Sequence, residues 1–151
     1  MLLAFCGCAM QIARGPIWKA DIPAWPARPW PVVSMLGPGY QSTAQLAVNA
    51  VNGAAGCELF RLVDKGGIIE IKGDPEKTVS GSLNGEGWIF VQIGDIAETY
   101  LLLQHELGHL AGLAHQSYGI MNPTLAVPPP GRLMPSFDEE QREALRQRWC
   151  R

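Results

Sequence analysis

The chain has 151 residues and a mass of 16.4 kDa, enough for one domain around one core and too little for a second. Charged residues are 17% and the net charge is −2, with no basic run longer than the mixed segment 142–151, so nothing points to a nucleic-acid partner. The 17 glycines and 12 prolines, concentrated between apolar runs, argue for a loop-rich structure rather than a helical bundle.

The opening MLLAFCGCAM is apolar enough for the core of a secretory signal and too short to span a membrane as a helix. Phe5, Gly7 and Cys8 resemble a bacterial lipoprotein processing site, where Cys8 would carry the lipid and provide the only membrane attachment. The expectation is an exported chain, with 1–30 as leader and linker and 31–151 as the folded domain. Between Ile17 and Pro31, three tryptophans alternate with four prolines, which forbids regular ladders and predicts an extended lead-in lying on the domain. Residues 32–36 read as a first strand. Residues 43–55 carry apolar side chains at helical period, with Ser42 or Thr43 available as N-cap. Strands follow at 57–63 and 68–71, split by a turn at 64–67, with a weaker candidate at 78–83. Asn84-Gly85-Glu86-Gly87 makes a turn before the strongly β-forming run 88–93. Asp95 and Glu98 have capping-box spacing, so a helix is expected from about Ile96 to about Ala111. A proline-rich loop, 123–135, leads to a last helix that starts at Ser136 or Asp138 and ends near Trp149, with Phe137, Leu145 and Trp149 as core contacts. Cys57 and Cys150 either form one disulfide or remain two buried thiols.

The chemistry is concentrated in residues 105–115, HELGHLAGLAH, which contain all 3 histidines of the chain. On a helix His105 and His109 stand at i and i+4, so both rings project from one face and can share a cation. Glu106 lies between them and can reach a water on the metal without ligating it, as a general base requires. His115 is too far along for the same face unless the helix stops. Gly112 can stop it, because glycine tolerates the left-handed backbone that redirects a chain. Three protein ligands leave one position open, the mark of a catalytic rather than a structural site.

This run matches HExxHxxGxxH, and the chain thereby resembles the metzincin clan of zinc endopeptidases. Met121, in Ser117-Tyr118-Gly119-Ile120-Met121-Asn122-Pro123, resembles the methionine of their Met-turn. Gly108, the Met121-Asn122-Pro123 sequence and the closing segment 137–149 resemble the matrixins in particular, whereas Gln116 stands where matrixins commonly have serine or threonine. The resemblance implies an α+β zincin-like fold, with a mixed twisted sheet of four to five strands, an N-terminal helix, an active-site helix and a C-terminal helix. It also implies one catalytic zinc ion on His105, His109 and His115, and Glu106 as the base of a promoted-water hydrolysis. It further places Gly87, Trp88, Ile89 and Phe90 on an antiparallel edge strand that pairs with extended substrate, with Pro123 beside the cleft. Between Ile71 and Trp88, Asp74, Glu76 and Glu86 are too sparse to argue for calcium. The expected activity is that of a monomeric zinc endopeptidase acting on extended peptide or protein. Two alternatives stay open: a catalytically silent zinc-containing binding module, and a zinc hydrolase of a non-peptide substrate.

Overall fold

The computed structural model describes residues 15–151, so the leader and the Cys8 reading lie outside the described residues. In chain order it contains β1 (Trp30–Ser34), α1 (Gln41–Ala55), β2 (Phe60–Leu62), β3 (Ile69–Asp74), β4 (Val79–Leu83), β5 (Glu86–Gln92), α2 (Ile96–Leu110) and α3 (Glu139–Trp149). The five strands make one mixed sheet in the order β2-β1-β3-β5-β4. β1 is parallel to β2 and β3, β3 is parallel to β5, and only β4 runs antiparallel to its neighbour. The fold is therefore α+β, with a five-stranded mixed sheet and three helices. Among the described residues no helix is long and apolar enough to cross a membrane.

Alternation along the strands decides which face carries the core. Ile69, Ile71, Ile89 and Val91 are fully buried, whereas Lys72 and Trp88 at intervening positions are exposed. The buried face packs under α1 and α2, whose Ala44, Ala47, Val48, Val51, Leu103 and Leu107 recur at helical period.

Several local signals act as the sequence suggests. Asp95 caps α2 by accepting from the Glu98 N–H, and Asp138 starts α3 within a full capping box with Gln141. Phe137 and Leu145 are buried, and Trp149 packs on the core while its indole N–H donates to the Ala111 carbonyl at 3.0 Å. Others act differently. α1 begins two residues earlier than expected with no side-chain cap, following a short 3-10 turn at Pro38–Tyr40 rather than Ser42 or Thr43. The 64–67 turn does not fold β3 back on β2. Both strands instead flank β1, as the Val63 N–H bonded to Val32 and the Ile68 N–H bonded to Pro31 show.

The largest correction concerns β5. Asn84 and Gly85 both have positive φ, 53° and 78°, and form a two-residue hairpin that pairs Leu83 with Glu86. This hairpin lays β4 outside β5, so β5 is paired on both sides and cannot be the sheet edge. The edge next to the helix that follows belongs to β4.

The segment before β1, read from sequence over Ile17–Pro31 as an extended lead-in lying on the domain, is held there. The Trp25 indole N–H donates to Leu110 O at 2.7 Å, and the Trp30 ring meets Trp25, Phe60 and Trp149 at centroid distances of 5.6, 5.2 and 4.9 Å. Across the domain, Cys57 after α1 and Cys150 after α3 form a disulfide with Cα atoms 5.7 Å apart, closing a separation of 93 residues. Closure of so long a loop constrains the unfolded chain, so replacing both cysteines by serine should cost about 2–4 kcal/mol. Urea titration of wild type and the double variant checks this, with a mass shift of about 2 Da on reduction confirming the bond; equal midpoints would contradict it.

Candidate metal centre

His105 and His109 sit on the last two turns of α2, where the helix places them one turn apart on one face. Each ring is oriented by a backbone carbonyl: His105 Nδ1 lies 2.7 Å from Ile120 O, and His109 Nδ1 lies 2.8 Å from Leu113 O. A neutral imidazole that donates through Nδ1 has a bare lone pair on Nε2. Those Nε2 atoms lie 3.0 Å apart, and His115 Nε2 lies 3.3 Å from that of His105. Tetrahedral coordination at 2.0–2.1 Å implies nitrogen separations of about 3.3 Å, so the donor set fits a divalent cation with a fourth position free. All three residues offer ligand atoms within 4.8 Å of one another and can hold a metal ion.

His115 reaches the site because α2 stops where it does. Gly112 has φ +99°, which a side chain would resist, and its N–H closes on His109 O at 2.9 Å. The reversed chain is then gripped from outside. Lys19 N–H donates to Gly112 O and Ala114 N–H to Ile17 O, both at 2.8 Å, with Trp18 and Leu113 bridged as antiparallel neighbours. Gln116 is buried, with its amide donating to Pro16 O and its N–H to Met121 O, so the residue that departs from the matrixin pattern ties the third-histidine loop to both flanking segments.

Met121 is fully buried beneath this arrangement. A Cβ on Gly108, between Glu106 and His109, would stand 2.6 Å from Met121 Sδ and 3.2 Å from the Phe137 ring, so glycine is what allows the methionine turn to seat against α2.

Glu106 is 5% exposed. Burial raises its pKa above the ordinary carboxylate value, opposed by a hydrogen bond from Ser80 and by the charges of His115 and Lys19. Burial also lowers the pKa of His105 and His115, and takes His109 down to about 4, so the rings are neutral and available as ligands at pH 7.

These groups form the floor of a cleft of about 630 Å³. Thr78, Val79 and Ser80 of the β4 side form one wall, Asn122, Pro123 and Leu125 another, and Lys19 and Ala20 of the lead-in a third. Pro123 lines this cleft, whereas Gly87, Trp88, Ile89 and Phe90 do not. Ile89 is buried in the core, and Gly87 and Trp88 border a separate depression with Leu83 and Asn84. The hairpin explains the displacement, since it interposes β4. The signal for Thr78–Ser80 was present in the Asn84-Gly85 dipeptide, but Lys19 had none, because only tertiary pairing brings it to the site. Neither a protein-family model nor a curated protein sequence matches the chain.

Two outcomes follow. Without metal, the unfolded chain takes up a proton on His109 below pH 6.5 that the folded chain refuses until about pH 4. Stability from this group is therefore complete above 6.5 and lost as pH falls toward 4, on the order of 3 kcal/mol. Burial of Glu106 works in the opposite sense, so the effect is read from chelator-treated Glu106→Gln, whose melting temperature should drop between pH 7 and pH 4.5; a flat profile would contradict it. Gly108→Ala should lose about 1–3 kcal/mol through overpacking against Met121 and weaken metal retention, checked by urea titration and metal analysis.

Proposed function

We propose that the chain is a zinc-dependent endopeptidase of the metzincin type, matrixin-like in its metal and turn residues. The observation that carries this reading is the convergence of three Nε2 atoms beside a buried carboxylate, on the floor of a cleft walled by a sheet edge. His105, His109 and His115 would hold the zinc, an ion suited to an all-imidazole tetrahedral donor set. When bound, zinc supplies Lewis acidity toward a water and a substrate carbonyl.

The rest of the work falls to the chain. Glu106 accepts a proton from the attacking water and delivers it to the departing amine; a pKa raised by burial brings these two tasks closer together. Ser80 holds the carboxylate through a hydrogen bond, so its direction is set before substrate arrives. The outer backbone edge of β4 pairs with a substrate in extended conformation, in the way a strand is added to a sheet, while Pro123 and Leu125 confine it from the opposite wall. The Cys57–Cys150 disulfide supports an exported location for the domain, which acts as a monomer on protein or peptide.

The test is metal content and cleavage of a denatured-protein substrate. Wild type should bind zinc and lose cleavage to a chelator. Glu106→Gln should keep zinc and lose turnover by at least about 10²-fold, and His109→Ala should lose both. Full cleavage by Glu106→Gln would remove the carboxylate from its assigned role. Zinc without cleavage in wild type would favour a silent binding module instead.

A further inference from the structure

The lead-in does more than brace the third-histidine loop. Strand-like pairing of 17–19 with 112–114 makes neighbouring side chains alternate in direction. Trp18 turns to α3, where the Arg148 guanidinium lies 5.1 Å from its ring, and Lys19 lines the metal cleft. Among the cleft residues Lys19 carries the single permanent positive charge, beside one carboxylate and three imidazoles. It is half-buried and makes no ion pair with any described carboxylate. Its side chain lines the same cleft as Glu106, His109 and His115. Its backbone is fixed at 2.8 Å from Gly112 O, so the side chain starts from a defined point on the rim.

We propose that Lys19 selects substrate by receiving a carboxylate, so that the preferred peptides are those carrying an acidic group close to the cleaved bond. This rests on the peptidase reading and specifies its substrate class. A cation anchored at a cleft wall and lacking an ion-pair partner among the described residues keeps its capacity to donate three hydrogen bonds. A carboxylate placed there gains a charge-assisted bond, and a neutral amide of the same shape gains a weaker one. The carboxylate can come from an Asp or Glu side chain or from the C-terminus of the substrate; both have the same chemistry.

The experiment compares peptides in which Glu or Gln is scanned through three positions on either side of the cleaved bond, each made as a free acid and as a C-terminal amide. Wild type should favour Glu over Gln in kcat/KM by about tenfold at one position, and the preference should shrink as salt rises. A preference of the same size for free acid over amide, at the peptides cut nearest their end, assigns the terminal carboxylate as the source. Lys19→Met, which keeps the apolar stem, should bring the ratio close to one with zinc content unchanged, and Lys19→Arg should restore it. A wild-type ratio near one, or a ratio that persists in Lys19→Met, overturns the proposal. So does an equal loss on Glu and Gln peptides, because that would mean Lys19 acts on the reaction and not on selection. Zinc-loaded Glu106→Gln titrated with the same labelled peptides separates this inference from the peptidase reading. A Glu-over-Gln affinity ratio that Lys19→Met abolishes supports carboxylate recognition even where wild type cleaves nothing, and cleavage without any ratio leaves the peptidase reading standing alone.

Discussion

Three imidazole nitrogens gathered within 4.8 Å of one another, with that of His105 3.0 Å from His109 and 3.3 Å from His115, are the constraint on which the rest of the structure depends. With the Nδ1 protons of His105 and His109 committed to carbonyls, no hydrogen bond between these two rings can relieve the repulsion of their Nε2 lone pairs. Packing alone gives no reason to gather them, and a cation supplies one. The cost is spread over elements that are far apart in sequence. Ile120 orients one ring, Leu113 a second, and Gly112 turns the chain that carries the third. The fold therefore holds these rings in place against their preference for water and for protons, and a cation bound there would add to the stability of the whole domain.

The spacing of 105–115 was legible because ligand geometry on a helix is a local property: i and i+4 lie on one face whatever surrounds them. The same holds for Asp95 and Asp138, whose capping depends only on the next turn. The cleft walls were legible only in part. Sheet order is a long-range choice, and a strongly β-forming run such as 86–92 says nothing about whether it lies at an edge or inside. Here the two-residue Asn84-Gly85 hairpin settled it, putting the less hydrophobic Val79–Leu83 outside. The α1 cap was misplaced for a related reason: a 3-10 turn upstream began the helix before the residues best suited to cap it.

The lead-in was legible as an extended segment lying on the domain, but its contacts with the site were not. Four prolines between Ile17 and Pro31 rule out a ladder, and extended proline-rich chain ordinarily reads as connector. Its tryptophans reverse that reading. Trp25 is bonded to the C-terminal turn of α2, and Trp30 is packed among Trp25, Phe60 and Trp149, so the segment is anchored where it enters β1. An anchored segment can hold a loop that glycine has made pliable. The two backbone bonds at 2.8 Å between 17–19 and 112–114 do this, compensating for the freedom that Gly112 introduces beside the third ligand.

β4 joins the two halves of the site through the period of a strand. Ser80 faces Glu106 and restrains the carboxylate, while the outer backbone of the same strand has no partner in the sheet. The position of Glu106 and that of the proposed peptide on that edge are thus referred to one rigid element, held by the β5 ladder over its whole length. A peptide pairing there would be registered against Glu106 in steps of one residue, because sheet pairing admits no intermediate offsets. On the proposed peptidase reading, affinity would come from backbone bonds that ignore sequence, and discrimination from the side walls. The cleft offers two kinds: an apolar one at Pro123 and Leu125, and a cationic one at Lys19. Apolar walls separate substrates by size in increments of a methylene, whereas an anchored charge separates them by sign, so on the proposed reading the lead-in would supply the sharper of the two filters.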